Sequence, residues 1–402
     1  MSQAILKPEA AHVIRDDAEA IEVARSFAAY LAPGASDRDR AGTAPRAELA
    51  KLAESGLLGI AVPREAGGAG VSHETLAKVF AILAAGDPAV AQVPQNHFVF
   101  LDLLARLGTR EQKRFFFAEI LRGARFGNAL SERDSAHVMD FKTRLSAHGD
   151  GRFRLNGTKY YCTGALTAQY VPVFAMDDQD RLVVAYLDRH WPGIEIGEDW
   201  FAMGQRATVS GTTRLTDVVV PEDRVVPLWP SFGRPQISGA FGQLIHAAID
   251  IGIARGALEE GAAFVKTKSR PWFESGVASP AEEPLVMHRF GELTAKLWAA
   301  EELLGRAGRA LDAAERKLDE ETAGAASLAV AAAKAFGGDI ALEIGNEIFS
   351  LAGTRAADER INLNRHWRNA RTHTLHDPSR WKYLHIGNFT VNGVKPPNHG
   401  LI

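Results

Sequence analysis

The chain of 402 residues has one cysteine, Cys162, which excludes an intrachain disulfide and any metal site built from cysteines. It has no excess of charge of one sign. Its 46 Lys and Arg stand against 49 Asp and Glu, a formal charge of −3, and no basic stripe suggests a nucleic-acid partner. Long apolar runs are also missing. None reaches the roughly 18–20 residues that cross a bilayer, and the alanine-rich stretch 323–335 is broken by Lys334. Near the start, Glu9, Asp16, Asp17 and Glu19 interrupt any export signal. No G-x-G-x-x-G follows a predicted strand and no H-E-x-x-H occurs, so neither a Rossmann site nor a metal site is expected. These absences predict a soluble, cytoplasmic protein with no membrane, nucleic-acid or metal partner.

What is present is ordinary globular material, 46% hydrophobic and 24% charged, enough for two or three domains. The period of the pattern changes twice. Residues 1–125 read as an N-terminal helical domain. Its segment 18–31 places Ile21, Ala24, Phe27, Ala28 and Leu31 on one face, 46–57 and 73–85 repeat the pattern, and Thr109 caps 111–121. Residues 126–232 read as a middle antiparallel β-barrel or sandwich domain. Strands are expected at 153–155 and 159–162 around an Asn156-Gly157 hairpin turn, at 171–176 and 181–188, and at 212–221. Residues 233–402 read as a C-terminal helical bundle. Its long helix carries Phe290, Leu293, Leu297, Leu304 and Leu311, two further helices at 245–264 and 328–351 are apolar around much of their circumference, and 271–284 is an exposed linker.

Four motifs occur in a fixed order along nearly the whole chain. They are Ala129-Leu130-Ser131-Glu132; Lys142-Thr143 with Leu155-Asn156-Gly157-Thr158-Lys159-Tyr160-Tyr161-Cys162-Thr163-Gly164; Ala202-Met203-Gly204-Gln205-Arg206; and the run from Arg365 to Arg371. Each alone is weak, but in this order the chain resembles an acyl-CoA dehydrogenase. The resemblance implies an α+β fold with helical N-terminal, β middle and four-helix C-terminal domains, a homotetramer, and a flavin near subunit boundaries. It implies that Ser131 and Thr163 face the isoalloxazine ring, where fixed donors tune its electronics. It implies that Arg270 reaches the flavin phosphate, for which a guanidinium fork is suited. Trp200 and Arg368 are further candidates at the cofactor; core packing and a salt-bridged helix face are their alternatives.

The departures from that pattern are informative. Where the dehydrogenases carry a glutamate that removes the substrate α-proton, this chain reads Leu375-His376-Asp377. An imidazole with a pKa of about 6.5 is a poor substitute for a buried anionic base. Asn96-His97-Phe98, Gly127-Asn128-Ala129, Ser269-Arg270-Pro271-Trp272 and the segment 366–378 are similar to the flavin-dependent monooxygenases of sulfur metabolism, the dibenzothiophene monooxygenase type. That resemblance implies an active site lined by His97, Asn128, Thr163 and His376, which supplies neutral donors to activated oxygen and excludes water. It implies reduced FMN from a separate flavin reductase, O2, and a small organosulfur or nitrogen-containing substrate. The alternatives are an FAD-dependent dehydrogenase acting on an acyl thioester with Asp377 as base, and a non-catalytic flavin-binding scaffold.

Overall fold

The structure, a computed structural model, describes residues 11–133, 137, 138, 140–397 and 399. The N-terminal helices are α1 (Asp17–Leu31), α2 (Ala35–Ala41), α3 (Arg46–Glu54), α4 (His73–Gly86), α5 (Pro88–Gln92), α6 (Gln95–Leu107) and α7 (Arg110–Leu121). Their starts follow local chemistry. Asp16 and Ser72 accept from backbone N–H groups in the first turns of α1 and α4, and Thr109 forms a capping box with Gln112 at α7. α1 buries Ala20, Ala24, Phe27 and Leu31, so it packs along the stripe that its spacing predicts. The pattern gives no warning of α6. Its buried face carries the polar Gln95 and His97 among the apolar residues, which blurs the helical period.

The middle domain has strands β1 (Arg144–Gly149), β2 (Arg152–Lys159), β3 (Tyr170–Asp177), β4 (Leu182–Asp188), β5 (Ile194–Ile196), β6 (Thr213–Pro221) and β7 (Val225–Pro227) in one sheet of order β5-β6-β2-β1-β3-β4-β7. Its pairings are antiparallel except one: β3 runs parallel to β1, with Arg144 opposite Met176. A parallel neighbour cannot be reached by a tight turn. The chain between β2 and β3 therefore crosses the sheet end, and that crossing carries Thr163.

The expected Asn156-Gly157 hairpin turn is a bulge inside β2 instead. The register against β6 slips between Leu155 and Gly157. Asn156 holds the facing Asp217 through two bonds, Nδ2 to Oδ1 at 3.1 Å and Oδ1 from the Asp217 N–H at 2.8 Å. Gly157 has φ 159°, and a Cβ there would lie 2.3 Å from Thr143 Oγ1. Glycine is thus required by close packing rather than by a reversal. The actual turn is Gly149-Asp150-Gly151, all three with positive φ.

The C-terminal part consists of α8 (Ser238–Lys268), α9 (Pro284–Arg316) and α10 (Glu320–Ala352), packed on one another and on α4, closed by α11 (Arg365–His373) and α12 (Ser379–Asn392). By length and composition α10 is apolar enough to cross a membrane, which the shorter apolar runs do not suggest. Its apolar window is 67% buried inside the protein, and Lys334 near its middle pairs with Asp250 of α8. It is the central helix of the bundle.

Candidate functional site

One face of the site is a chain of hydroxyls and amides on the β domain. The Asn128 N–H donates to the Thr163 carbonyl at 3.0 Å, and Asn128 Nδ2 donates to the Tyr161 carbonyl at 3.1 Å. Thr163 Oγ1 lies 2.7 Å from Ser210 Oγ, which lies 2.8 Å from Thr208 Oγ1, which donates to the Gln205 carbonyl. Trp200 Nε1 donates to that same carbonyl, and its ring stands edge-on to Tyr161. The Tyr160 N–H donates to the Ser131 carbonyl. Ser131, Asn128, Thr163 and Trp200 are thus brought to one patch.

The backbone holding this patch is strained. Tyr161, Gln205 and Val209 all have φ between 42° and 56°, a region that costs about 1–3 kcal/mol for such residues and persists only where the surroundings enforce it. Part of that enforcement comes from α11. The Gln205 N–H donates to Asn369 Oδ1 at 2.6 Å, and Arg368 bonds the Met203 carbonyl at 2.7 Å. The intervening Gly204 lies so close to α11 that a Cβ would sit 2.0 Å from the Arg368 carbonyl oxygen.

A second group is a histidine cluster where α5, α8, α10 and the α11–α12 connection meet. His376, 44% exposed at its side chain, lies over the His246 ring with centroids 4.0 Å apart. His246 Nδ1 is 3.1 Å from His373 Nε2, and His373 Nδ1 is 2.6 Å from Asp250 Oδ1. The Gln92 amide also reaches His373 Nε2, at 3.0 Å. Asp250 and Lys334 pair at 3.1 Å with almost no solvent contact. Burial, then the neighbouring cations, push His246 well below its ordinary value. Asp377 is clamped between His376 Nδ1 at 3.2 Å and Lys382 Nζ at 3.0 Å. Burial works against its charge, yet the His376 bond and the nearby Lys334 and Lys382 hold it far below the usual carboxylate range. Among the described residues no group of three or more His, Cys, Asp or Glu side chains is arranged to hold a metal ion.

The other sequence candidates are placed differently. His97 is fully buried, with Nε2 bonded to the Leu58 carbonyl at 2.9 Å and Nδ1 accepting from the Phe126 N–H at 3.1 Å. Both ring nitrogens are used by backbone, which leaves none for a ligand. Arg368 is spent as well, on Asp39 at 2.5 Å, Asn362 at 2.7 Å and the Met203 carbonyl. It latches α11 to α2, the salt-bridged alternative. Arg270 is exposed in the α8–α9 connection. Sequence reasoning misses His246, Asp250, Gln92 and Gln205. A signal existed for Asp250: a charge inside a nearly all-apolar helical run demands a buried partner.

Two of these side chains have buried atoms with no protein partner: Asn128 Oδ1, and both Nε2 and Oε1 of Gln205. Each such group costs about 1–3 kcal/mol if left unbonded. Orphaned amides beside a row of hydroxyls fit a flat ligand that carries its own ring N–H and carbonyl groups, as the isoalloxazine of a flavin does.

Family models describe the same chain. Residues 15–124, 127–218 and 244–380 match the N-terminal, middle and C-terminal domains of acyl-CoA dehydrogenases. A dibenzothiophene monooxygenase of Rhodococcus erythropolis is 34% identical over 97% of this chain and 98% of its own length. A probable FMNH2-dependent monooxygenase, SfnC of Pseudomonas putida, is 34% identical over 94% and 96%. The crystal structure of FMN-bound TdsC from Paenibacillus sp. A11-2 superposes with a TM-score of 0.91 at 30% identity, covering 95% of this chain and 100% of that one. With its fold, its hydroxyl face and no glutamate at position 376, the chain belongs to the acyl-CoA dehydrogenase superfamily, in its flavin-dependent monooxygenase branch.

Proposed function

We propose that this chain is the oxygenase of a two-component flavin monooxygenase, taking FMNH2 from a separate reductase and using O2 to oxidise a small organosulfur compound in sulfur acquisition. The observation that carries the choice over a dehydrogenase is the state of Asp377. It is the carboxylate nearest the missing glutamate, and it is 5% exposed and clamped by His376 and Lys382. A carboxylate so stabilised as an anion is a weak base, unsuited to removing a carbon-bound proton. Asp250, the other acid of the cluster, is spent on Lys334 and His373.

When bound, FMNH2 supplies the two electrons and two protons by which one oxygen atom enters the substrate and the other leaves as water. Ser131, Asn128 and Thr163 would hold the ring edge, and Trp200 would border it. Arg270 would reach the phosphate across a subunit boundary. Support for a homotetramer comes from large apolar side chains left exposed on the single chain, among them Phe201, Trp272 and Phe273 at 93%, 61% and 79% exposure. His376 is the exposed donor, able to hold or release a proton toward oxygen. His97 braces the segment leading into Asn128 through its bond to Phe126. The domain boundaries proposed are 125/126 and 232/233, where α7 gives way to strand and β7 gives way to α8. A cytoplasmic location follows from the need for reduced flavin.

The test is rapid mixing of anaerobic protein–FMNH2 with oxygenated buffer. A lag before oxidised FMN reappears, with oxygen transferred to a sulfide or sulfinate, is expected. Immediate reoxidation with stoichiometric peroxide release, candidate substrates present, refutes the reading. His376→Ala should shorten the lag.

A further inference from the structure

His376 rests on imidazoles to which the proposed reaction gives no role. Their protonation follows from the donors and acceptors available. Lys334 Nζ takes Asp250 Oδ2 at 3.1 Å, so Oδ1 is left to accept from His373 Nδ1 at 2.6 Å. A carboxylate only accepts, so His373 Nδ1 carries hydrogen. Burial opposes a positive charge on His373, against the pull of Asp250, which Lys334 already pairs. His373 Nε2 is shared by His246 Nδ1 at 3.1 Å and the Gln92 amide at 3.0 Å.

His246 is therefore held on the buried side of the cluster through its Nδ1 contact to His373. The groups facing it come from every packed element. Asp250 lies on its own helix and acts through His373; Lys334 comes from α10; His373, His376 and Asp377 come from α11 and the turn after it; Lys382 comes from α12; and Gln92 comes from α5. A second positive charge at His246 would face two lysines inside a water-free core. Of the two stacked rings, His376 is the one that meets solvent.

We propose that His246 is a positioning residue of the oxygenation site: a buried imidazole platform, held by its contact to the Asp250–His373 pair, on whose face His376 rests. The platform fixes the plane of the one ring of the stacked pair that meets solvent. Its chemical purpose rests on the monooxygenase reading, but its geometry does not. The experiment is chosen accordingly.

Diethyl pyrocarbonate acylates unprotonated imidazole, and peptide mass spectrometry reads the extent at His376 across pH 5–9 (the range about the ordinary histidine value of about 6.5), without flavin. His246→Ala removes the platform and should change the His376 acylation rate at least threefold and move its pH midpoint. His246→Phe restores a flat apolar face and should restore both, at the cost of one hydrogen bond to His373. If the alanine variant does not fold, His246→Leu, apolar but not flat, is read in its place. Unchanged His376 reactivity in the Ala or Leu variant overturns the proposal. So does restoration by His246→Gln but not by His246→Phe, which would make the role polar. The flavin lag, measured on the same variants, should shorten with Ala and recover with Phe. If wild type shows no lag while the acylation pattern holds, the monooxygenase reading fails and the platform stands.

Discussion

His97 is where the structure makes the sharpest quantitative demand. It is fully enclosed, packed edge-on to Phe98 and tilted against Phe126, and it joins the Leu58 carbonyl to the Phe126 N–H. His97→Ala strands both backbone groups at about 1–3 kcal/mol each and opens a cavity. A total near 3–5 kcal/mol is expected, measured as a lower denaturant midpoint at fixed protein concentration. The pH dependence is a stricter test. Burial lowers the folded pKa of His97 to about 4, whereas the unfolded value is about 6.5. The folded state thus binds fewer protons, so this contribution is complete above about pH 6.5 and is lost as pH falls toward 4. At about 1.4 kcal/mol per pH unit the loss amounts to about 3 kcal/mol. In His97→Gln that part of the slope should vanish. If wild type and His97→Gln keep parallel stability curves from pH 7 to 4 (the window set by those two values), the neutral-brace reasoning is wrong. If the variant unfolds like wild type but loses turnover alone, the imidazole acts in the chemistry instead.

Three other outcomes follow from the geometry. Lys334→Met should cost about 3–5 kcal/mol, because it leaves the buried Asp250 charge unpaired, and Asp250→Leu/Lys334→Met should recover at least half of that in denaturant unfolding; a single-variant loss below about 1 kcal/mol would show that the pair is not isolated from water. Gly204→Ala drives a Cβ against the Arg368 carbonyl and should break the Gln205–Asn369 bond, weakening FMN binding at least tenfold in a fluorescence titration. An unchanged Kd would separate the strained loop from the cofactor. Arg270→Ala should also weaken FMN about tenfold, near 1.4 kcal/mol, while riboflavin binding stays as in wild type; equal losses for the two flavins would remove Arg270 from the phosphate.

The sequence alone carried the three-part architecture. Helical stripes such as Ala24, Phe27 and Leu31, and caps such as Thr109, are local signals that read the same in the chain and in the fold. It also carried the absence of a glutamate before Asp377, and with it the change of reaction. Side-chain partnership was decided only by tertiary structure. Asn156-Gly157 has the composition of a turn, but Asp217 and Thr143 arrive from distant strands to make it a bulge. His97 and His376 look alike as candidates, yet backbone from Leu58 and Phe126 consumes one ring while the other stays half exposed over His246. Asp250 and Lys334 lie 84 residues apart. A local pattern records which residues prefer a helix. Which buried charge meets which partner is fixed only when the helices pack, because an unpaired charge there costs more than any local preference supplies.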